Sequence, residues 1–255
     1  MKNRSDYIKI IGIFLLIAIV AAFSLLIDRL PVIGDPDSAP NTHVSDYYIE
    51  EGPEVTHSPN LVTGVLADFR GFDTLLETTV MFLAGVAVTM ILSNKLKKKW
   101  DSTIYRNDDN FNGLDVKVVM PLVIPIILVY AIYVLFHGEV SLGGGFQAGA
   151  LLAMAFIIYT MFADFKKNSI RMTQHLTVCI AAVGVLIYGI TGMLPLFFGG
   201  NFLEYDKLPF NEAHVSSLHG LGIFMIETGV TIGVMATIIT ILSAVLERNS
   251  LNERD

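Results

Sequence analysis

The sequence predicts an all-α, polytopic membrane protein with about six transmembrane helices and both termini cytoplasmic. Composition points to the class, because 53% of the 255 residues are hydrophobic and only 16% charged, with a mean hydropathy of +0.59, unlike a soluble domain built around one core. Uncharged apolar runs of the roughly 20 residues needed to cross a bilayer recur along the chain. They fall near Ile8 to Ile27, Thr74 to Leu92, Val118 to Phe136, Phe146 to Ala163, Leu176 to Phe198 and Leu218 to Leu246. Lys and Arg collect in the segments that an even number of spans puts inside, namely Lys2, Arg4, Lys9, Lys95, Lys97, Lys98, Lys99, Arg106, Lys117, Lys166, Lys167, Arg171, Arg248 and Arg254. Only Arg29, Arg70 and Lys207 lie opposite, and that asymmetry sets the expected orientation.

The first apolar run follows Lys2 and Arg4 and includes the small pair Ala21 and Ala22, which is how a signal peptide begins. The run continues through Phe23, Leu25, Leu26 and Ile27, longer than an h-region, so it is expected to stay as an anchor helix. After it, Asp28 to about Asn60 carries Asp28, Asp35, Asp37, Asp46, Glu50, Glu51 and Glu54 against Arg29. Such a segment is either a solvated loop or an acidic collar that concentrates cations. Pro31, Pro36, Pro40 and Pro53 argue against helix there.

Arg70, Asp73 and Glu77 stand at helical spacing at the start of the second run, so they share a face. For Asp73 a structural ion pair with Arg70 and a functional role are both open. Glu77 lies two turns into the apolar layer, and intramembrane acids are functional candidates by default. Lys95 to Asp115, rich in charge and turn formers, reads as a hydrated cytoplasmic linker, with Trp100 as an interface anchor. The expected division is therefore 1–110, a two-helix region with an acidic outer loop and cytoplasmic linker, and 111–255, a four-helix membrane domain.

Phe136-His137-Gly138-Glu139-Val140-Ser141-Leu142-Gly143-Gly144-Gly145-Phe146 places two ionisable side chains and a glycine triplet between the third and fourth runs. Three glycines interrupt helical hydrogen bonding, and irregular backbone near membrane depth is tolerated where protein or water covers it. The segment is either an exposed turn or one that lines a cavity or interface. His137 beside Glu139 is the stronger proton-exchange candidate among the end-of-helix histidines, which include His219 and His175. His43 and His57 read as surface residues. Gly184, Gly189 and Gly192 in the fifth run and Gly222, Gly229 and Gly233 in the sixth permit close helix contacts, and Pro121 and Pro125 in the third permit kinks.

Glu227 is the sharpest position. A helix rise of about 1.5 Å per residue puts it roughly 13 Å into a ~30 Å hydrocarbon layer, with no charge from Thr228 to Leu246. A carboxyl there must be protonated, hydrated or paired, which makes it a relay candidate, or it serves as a helix-to-helix hydrogen bond. The one cysteine, Cys179, allows no intrachain disulfide and no thiolate metal site. No metal-binding, phosphate-cradling or nucleophile-elbow motif occurs, so no catalytic residue, cofactor, metal or nucleic-acid partner is expected.

The run FHGEVSLGGGFQAGALLAMAFIIY, with SLHGLGIFMIETGV after it, resembles the B-type subunits of the multisubunit Mrp-type cation/proton antiporters, whose relatives include the antiporter-like modules of membrane-bound hydrogenases. The resemblance covers about Leu114 to the C-terminus. Upstream, GVLADFRGFDTLLETTVMFLAGVAV resembles the C-terminal end of the large A-type antiporter subunit, or the small subunit replacing it in hydrogenase-type complexes. The resemblance implies a non-redox subunit of a hetero-oligomeric prokaryotic inner-membrane complex that exchanges Na⁺ or another monovalent cation for protons, with other antiporter or hydrogenase-complex membrane subunits and the lipid bilayer as partners. Alternatives are an ion-translocating module of a ferredoxin-linked hydrogenase or sulfur-reducing complex, and a structural scaffold. Matching positions are Asp68, Arg70, Asp73 and Glu77; His137, Gly143, Gly144 and Gly145; and His219 with Glu227. With Glu139, they supply the pathway candidates Glu77, Asp73, His137, Glu139, His219 and Glu227, and the motif residues Arg70, Gly143, Gly144 and Gly145. The central lysines of the large pumping subunits have no counterpart in these spans, so the chain is not expected to be an antiporter alone.

Overall fold

The computed structural model describes residues 2–27, 29–93, 114–162, 173–210 and 215–252. Six long helices occupy the positions of the six apolar runs: α1 Lys2–Ile27, α2 Gly71–Ser93, α3 Leu114–His137, α4 Gly145–Phe162, α5 Gln174–Met193 and α6 Val215–Asn252. No strand occurs among the described residues. Among the described residues, four stretches, Lys9–Ile27, Gly71–Leu92, Gln174–Phe198 and Leu218–Val245, are long and apolar enough to cross a bilayer, and Leu122–His137 and Gly145–Thr160 are shorter apolar helices. The chain is thus an all-α, multi-pass membrane protein. The expected linker up to residue 113, with Trp100 and the boundary between 110 and 111, lies outside the described residues, and its last two residues, Leu114 and Asp115, begin α3.

Packing separates two compact units, Met1–Tyr48 and Ile49–Asp255. The first contains α1. Within the second, α6 is the central helix and packs against α5, α4 and α2, while α3 packs chiefly on α4. Where α5 meets α6, small residues bring the backbones together: a Cβ on Gly184 would meet the Gly229 carbonyl oxygen at 2.6 Å, and one on Gly229 would meet the Gly184 oxygen at 2.8 Å. Gly189, by contrast, has nothing within 4 Å of that position. Thr240 Oγ1 donates to Thr177 Oγ1 at 2.7 Å across the same interface. Close approach and interhelical hydroxyl bonding do the work that hydrophobic exclusion does in water. Tyr188, Ile223, Ile226, Val230 and Val234 form the apolar core around this seam.

The expectation that prolines exclude helix from the acidic segment is corrected. Short helical turns span Pro40–Val44, Ser45–Glu50 and Gly52–Thr56. Pro40 and Pro53 stand in the first two positions of their turns, where the missing N–H has no intrahelical partner to lose. Farther on, Asn60 caps Leu61–Thr63 by accepting from Val62 N at 3.0 Å. The chain then passes through a π-helical turn, Gly64–Phe69, before α2 begins. Loosened carbonyls of this bend are taken up by hydroxyls: Thr74 donates to Leu66 O at 2.7 Å, Tyr205 to Ala67 O at 2.6 Å and Tyr188 to Gly71 O at 2.6 Å.

Candidate functional site

The predicted break between α3 and α4 is a turn buried at its glycines and exposed at its middle, where Val140 is 59% and Leu142 89% exposed. Gly138, Gly144 and Gly145 are buried, and each glycine of the triplet has its own steric task. Gly143 lies against the Val134 carbonyl, which a Cβ would meet at 2.5 Å. Gly144 has φ +137°, a conformation L side chains rarely adopt. Gly145 packs on α6, where a Cβ would collide with the Glu227 carbonyl oxygen and approach Val230 Cβ at 2.9 Å.

This close packing brings the Glu227 side chain against the turn. A Cβ on Gly138 would stand 3.0 Å from Glu227 Oε2, and one on Gly144 would stand 3.3 Å from Oε1. The carboxyl is half-buried and borders a cleft lined by Thr63, Thr74, Gly144, Gln147 and Tyr188. Gly143 and Gln147 also line a neighbouring groove with Asn60, Tyr130 and Val134. Glu139, from the same turn, acts electrostatically on Glu227 and packs on α6 about two turns earlier, its Oε1 2.6 Å from where a Gly220 Cβ would be. The Glu227 carboxyl, with Glu139 in electrostatic range, therefore borders a largely apolar cleft with a few polar groups where the turn between α3 and α4 meets α6.

The turn is fixed from outside its own sequence. Asn60 Nδ2 donates to Gly138 O at 2.6 Å and Ser141 O at 2.5 Å, Thr63 Oγ1 donates to Gly138 O at 2.6 Å, and Ser58 Oγ donates to Glu139 O at 3.1 Å. With helical bonding broken, these carbonyls would otherwise be unmatched. On α6, Thr231 Oγ1 reaches Gly145 O at 3.2 Å as well as its own-helix carbonyl of Glu227 at 2.8 Å.

The other predicted residues divide. His219 is buried at the start of α6, near Asp68 and Asp206. His137 instead stacks on Tyr133, with centroids 4.8 Å apart, and the ion pairs of the described residues include none between His137 and Glu139. Arg70 and Asp73 form an ion pair with each other, and both side chains are substantially exposed. Glu77 points to the exposed surface of its unit, within electrostatic reach of Tyr188. His57 is exposed, as read from sequence, but its ring also contacts His219 edge-on at 5.0 Å. Sequence reading missed Asn60, Thr63, Gln147, Tyr188, Tyr205 and Asp206. Only Asn60 carried a local signal, as a helix-capping residue before Leu61.

Residues 116–240 match the family described as a domain related to the MnhB subunit of Na⁺/H⁺ antiporters. A Staphylococcus haemolyticus protein named antiporter subunit mnhB2 is 30% identical over 134 residues, which are 52% of this chain and 94% of that protein. The chain belongs to the MnhB-related family. Residues 13–105 also match the MbhE family, described as the E subunit of MBH, so the MnhB-related part is preceded by a second homologous segment. A Rhizobium meliloti protein named as a K⁺/H⁺ antiporter A/B subunit is 27% identical over 246 residues, covering 86% of this chain and 24% of that protein. Among solved structures, a chain of the membrane-bound sulfane sulfur reductase, an archaeal respiratory membrane complex, aligns with TM-score 0.65 and 26% identity over 93% of this MnhB-related chain and 97% of its own. A chain of the Mrp complex from Dietzia sp. aligns with TM-score 0.56 and 25% identity, covering 94% of this chain and 26% of the other.

Proposed function

We propose that this MnhB-related chain is a non-redox membrane subunit of an Mrp-type multisubunit cation/proton antiporter, in which Glu227 and Glu139 line part of the ion or proton pathway. The observation that carries the reading is the seating of the Glu227 carboxyl against Gly138 and Gly144 at the edge of a cleft that Thr63, Thr74, Gln147 and Tyr188 also line. An intramembrane acid placed on a protein-covered helix break, with a second acid in electrostatic range, is suited to exchange a proton when water or a cation enters. Glu77 belongs to the same proposal as an acid on an outward face of α2, where a neighbouring subunit of the complex covers it. Na⁺ is the expected cation from the family description, and both termini are assigned to the cytoplasm from the Lys and Arg distribution.

Reconstituted complex carrying Glu227→Gln is expected to assemble in normal yield and to lose most exchange, because Gln preserves the shape without an exchangeable acid proton. Full exchange by that variant removes Glu227 from the mechanism. Reduced assembly with unchanged transport per complex supports a scaffold role instead.

A second reading, the ion-translocating module of a redox-driven complex, is favoured by one observation: the alignment to the sulfane sulfur reductase chain spans nearly the whole of both chains. Purifying the native complex separates the two. Iron-sulfur or other redox subunits in stoichiometric amount support the redox-driven parent, and antiporter-like membrane chains alone support the antiporter.

A further inference from the structure

Next to the Glu227 cleft, at the start of α6, lies a second cluster of ionisable groups. His219 is 8% exposed, with Nε2 3.3 Å from Asp68 Oδ2 and Nδ1 2.7 Å from Asp206 Oδ1. Both contacts are at ion-pair distance but lack hydrogen-bond alignment, so Nδ1 of His219 and Oδ2 of Asp68 end buried with no hydrogen-bond partner among the described residues. The ring is met edge-on by His57 at 5.0 Å and by Tyr205 at 5.5 Å.

Exposure is graded through this cluster. His57 is exposed, the Asp206 side chain is 41% exposed, the Asp68 side chain 22% and that of His219 10%. On the inner side, the residue after His219 is Gly220, against which the Glu139 carboxyl packs, and Glu139 acts on Glu227. The groups facing His219 from the surrounding elements are therefore Asp68, Asp206, His57 and Tyr205, with Glu139 one residue along α6. The cluster is an imidazole between two carboxylates, groups that accept and release protons.

A neutral imidazole has one N–H and can serve only one of two flanking carboxylates, whereas imidazolium serves both. Proton arrival at His219 is thus coupled to the charge of Asp206 on the wetter side and Asp68 on the drier side. The misaligned contacts leave donor and acceptor positions for water to complete.

We propose that Asp206, His219 and Asp68 form a proton-loading site that collects protons from the aqueous side and supplies Glu139 and then Glu227. It rests on the reading of Glu139 and Glu227 as pathway residues. In each cycle one proton from water enters at Asp206 and reaches His219 Nδ1, and one leaves from Nε2 toward Asp68 and passes inward through water to Glu139. The cluster thereby returns to its starting charge, and a ring flip or tautomer exchange through water restores the N–H to Nε2 before the next proton arrives. His57 shields the outer edge without joining the hop.

The test uses the whole complex in proteoliposomes, comparing the pH profile of exchange and the complex yield for Asp206→Asn, His219→Gln and Glu227→Gln. Losing a collecting group limits turnover where protons are scarce. Asp206→Asn is expected to exchange at nearly the native rate near about pH 6 and to fall about tenfold or more above about pH 8. His219→Gln is expected to lose exchange across the range. If His219→Gln does not assemble, Asp206→Asn at its half-exposed position still decides. An unmoved profile, or an equal loss at every pH, overturns the loading site and leaves a fixed ion-pair clamp. Glu227→Gln distinguishes the levels: if it is inactive while the Asp206→Asn profile is unmoved, only the loading site fails, and if it exchanges fully, the underlying pathway reading fails.

Discussion

The side-chain amide of Asn60 donates to the carbonyl oxygen of Gly138 at 2.6 Å, joining the segment before α2 to the turn that carries Glu139. The same amide reaches Ser141 O at 2.5 Å, and its own side-chain oxygen caps Leu61–Thr63. One residue therefore holds both sides of the irregular backbone beside Glu227.

Asn60→Ala is expected to destabilise the assembled protein by about 1–3 kcal/mol, since it leaves the Ser141 carbonyl without its side-chain donor and the Gly138 carbonyl with Thr63 alone. Thermal denaturation of the purified complex, with exchange assayed at a temperature where the variant remains folded, separates stability from transport. Exchange is expected to fall as well, because the turn positions Glu139 and Gly138 against Glu227. A variant as stable as the parent shows that solvent replaces the amide.

Gly138→Ala tests the contact between the turn and the acid. The added methyl would stand 2.8 Å from Gly144 N and 3.0 Å from Glu227 Oε2, so either the turn or the carboxyl must move. Overpacking of this kind costs about 1–3 kcal/mol, and exchange per assembled complex is expected to fall. Retained exchange shows that the Glu227 position tolerates displacement.

Gly184→Ala bears on the packing of α5 against α6. Its methyl would collide with backbone, at Gly229 O and at Gly233, and backbone cannot swing aside as a flexible side chain does. Lower complex yield or melting temperature is expected, with a cost of at least about 1–3 kcal/mol. Gly189→Ala, where nothing lies within 4 Å, is the matched control and is expected to be near neutral.

Tyr205 gives a pH dependence outside the membrane-spanning segments. Burial, reinforced by nearby Tyr188, Asp68 and Glu227, pushes its phenol well above the ordinary 10.0, so the folded protein keeps the proton that donates to Ala67 O. The unfolded chain releases that proton near pH 10, and the folded state does not. This contribution to stability is therefore complete below about pH 10 and declines above it, with a limiting slope of about 1.4 kcal/mol per pH unit. Tyr205→Phe is expected to be less stable at neutral pH by about 1 kcal/mol, through the lost hydrogen bond, and to decline less steeply above pH 10. Denaturant titrations from neutral to alkaline pH measure both, and parallel curves contradict the assignment.

By itself, the sequence determined the class and the positions of the helices, because bilayer thickness imposes run length and the cost of charge in hydrocarbon leaves the runs legible. It also located the helix break at the glycine triplet, since glycine's conformational freedom and the absence of side chains are local properties. The prolines of the acidic segment misdirected the reading because a proline's effect depends on its position within a turn, which residue type alone does not state. Which acids meet was decided by tertiary structure. Glu77 and Glu227 read alike as carboxyls inside apolar runs, yet Glu77 is exposed on its unit and Glu227 packs on the turn. A membrane helix is apolar toward both lipid and protein, so hydrophobic periodicity does not tell its inward face. The partners that separate the two acids, Gly138, Gly144 and Asn60, come from distant parts of the chain, and only the close packing of α3, α4 and α6 assembles them.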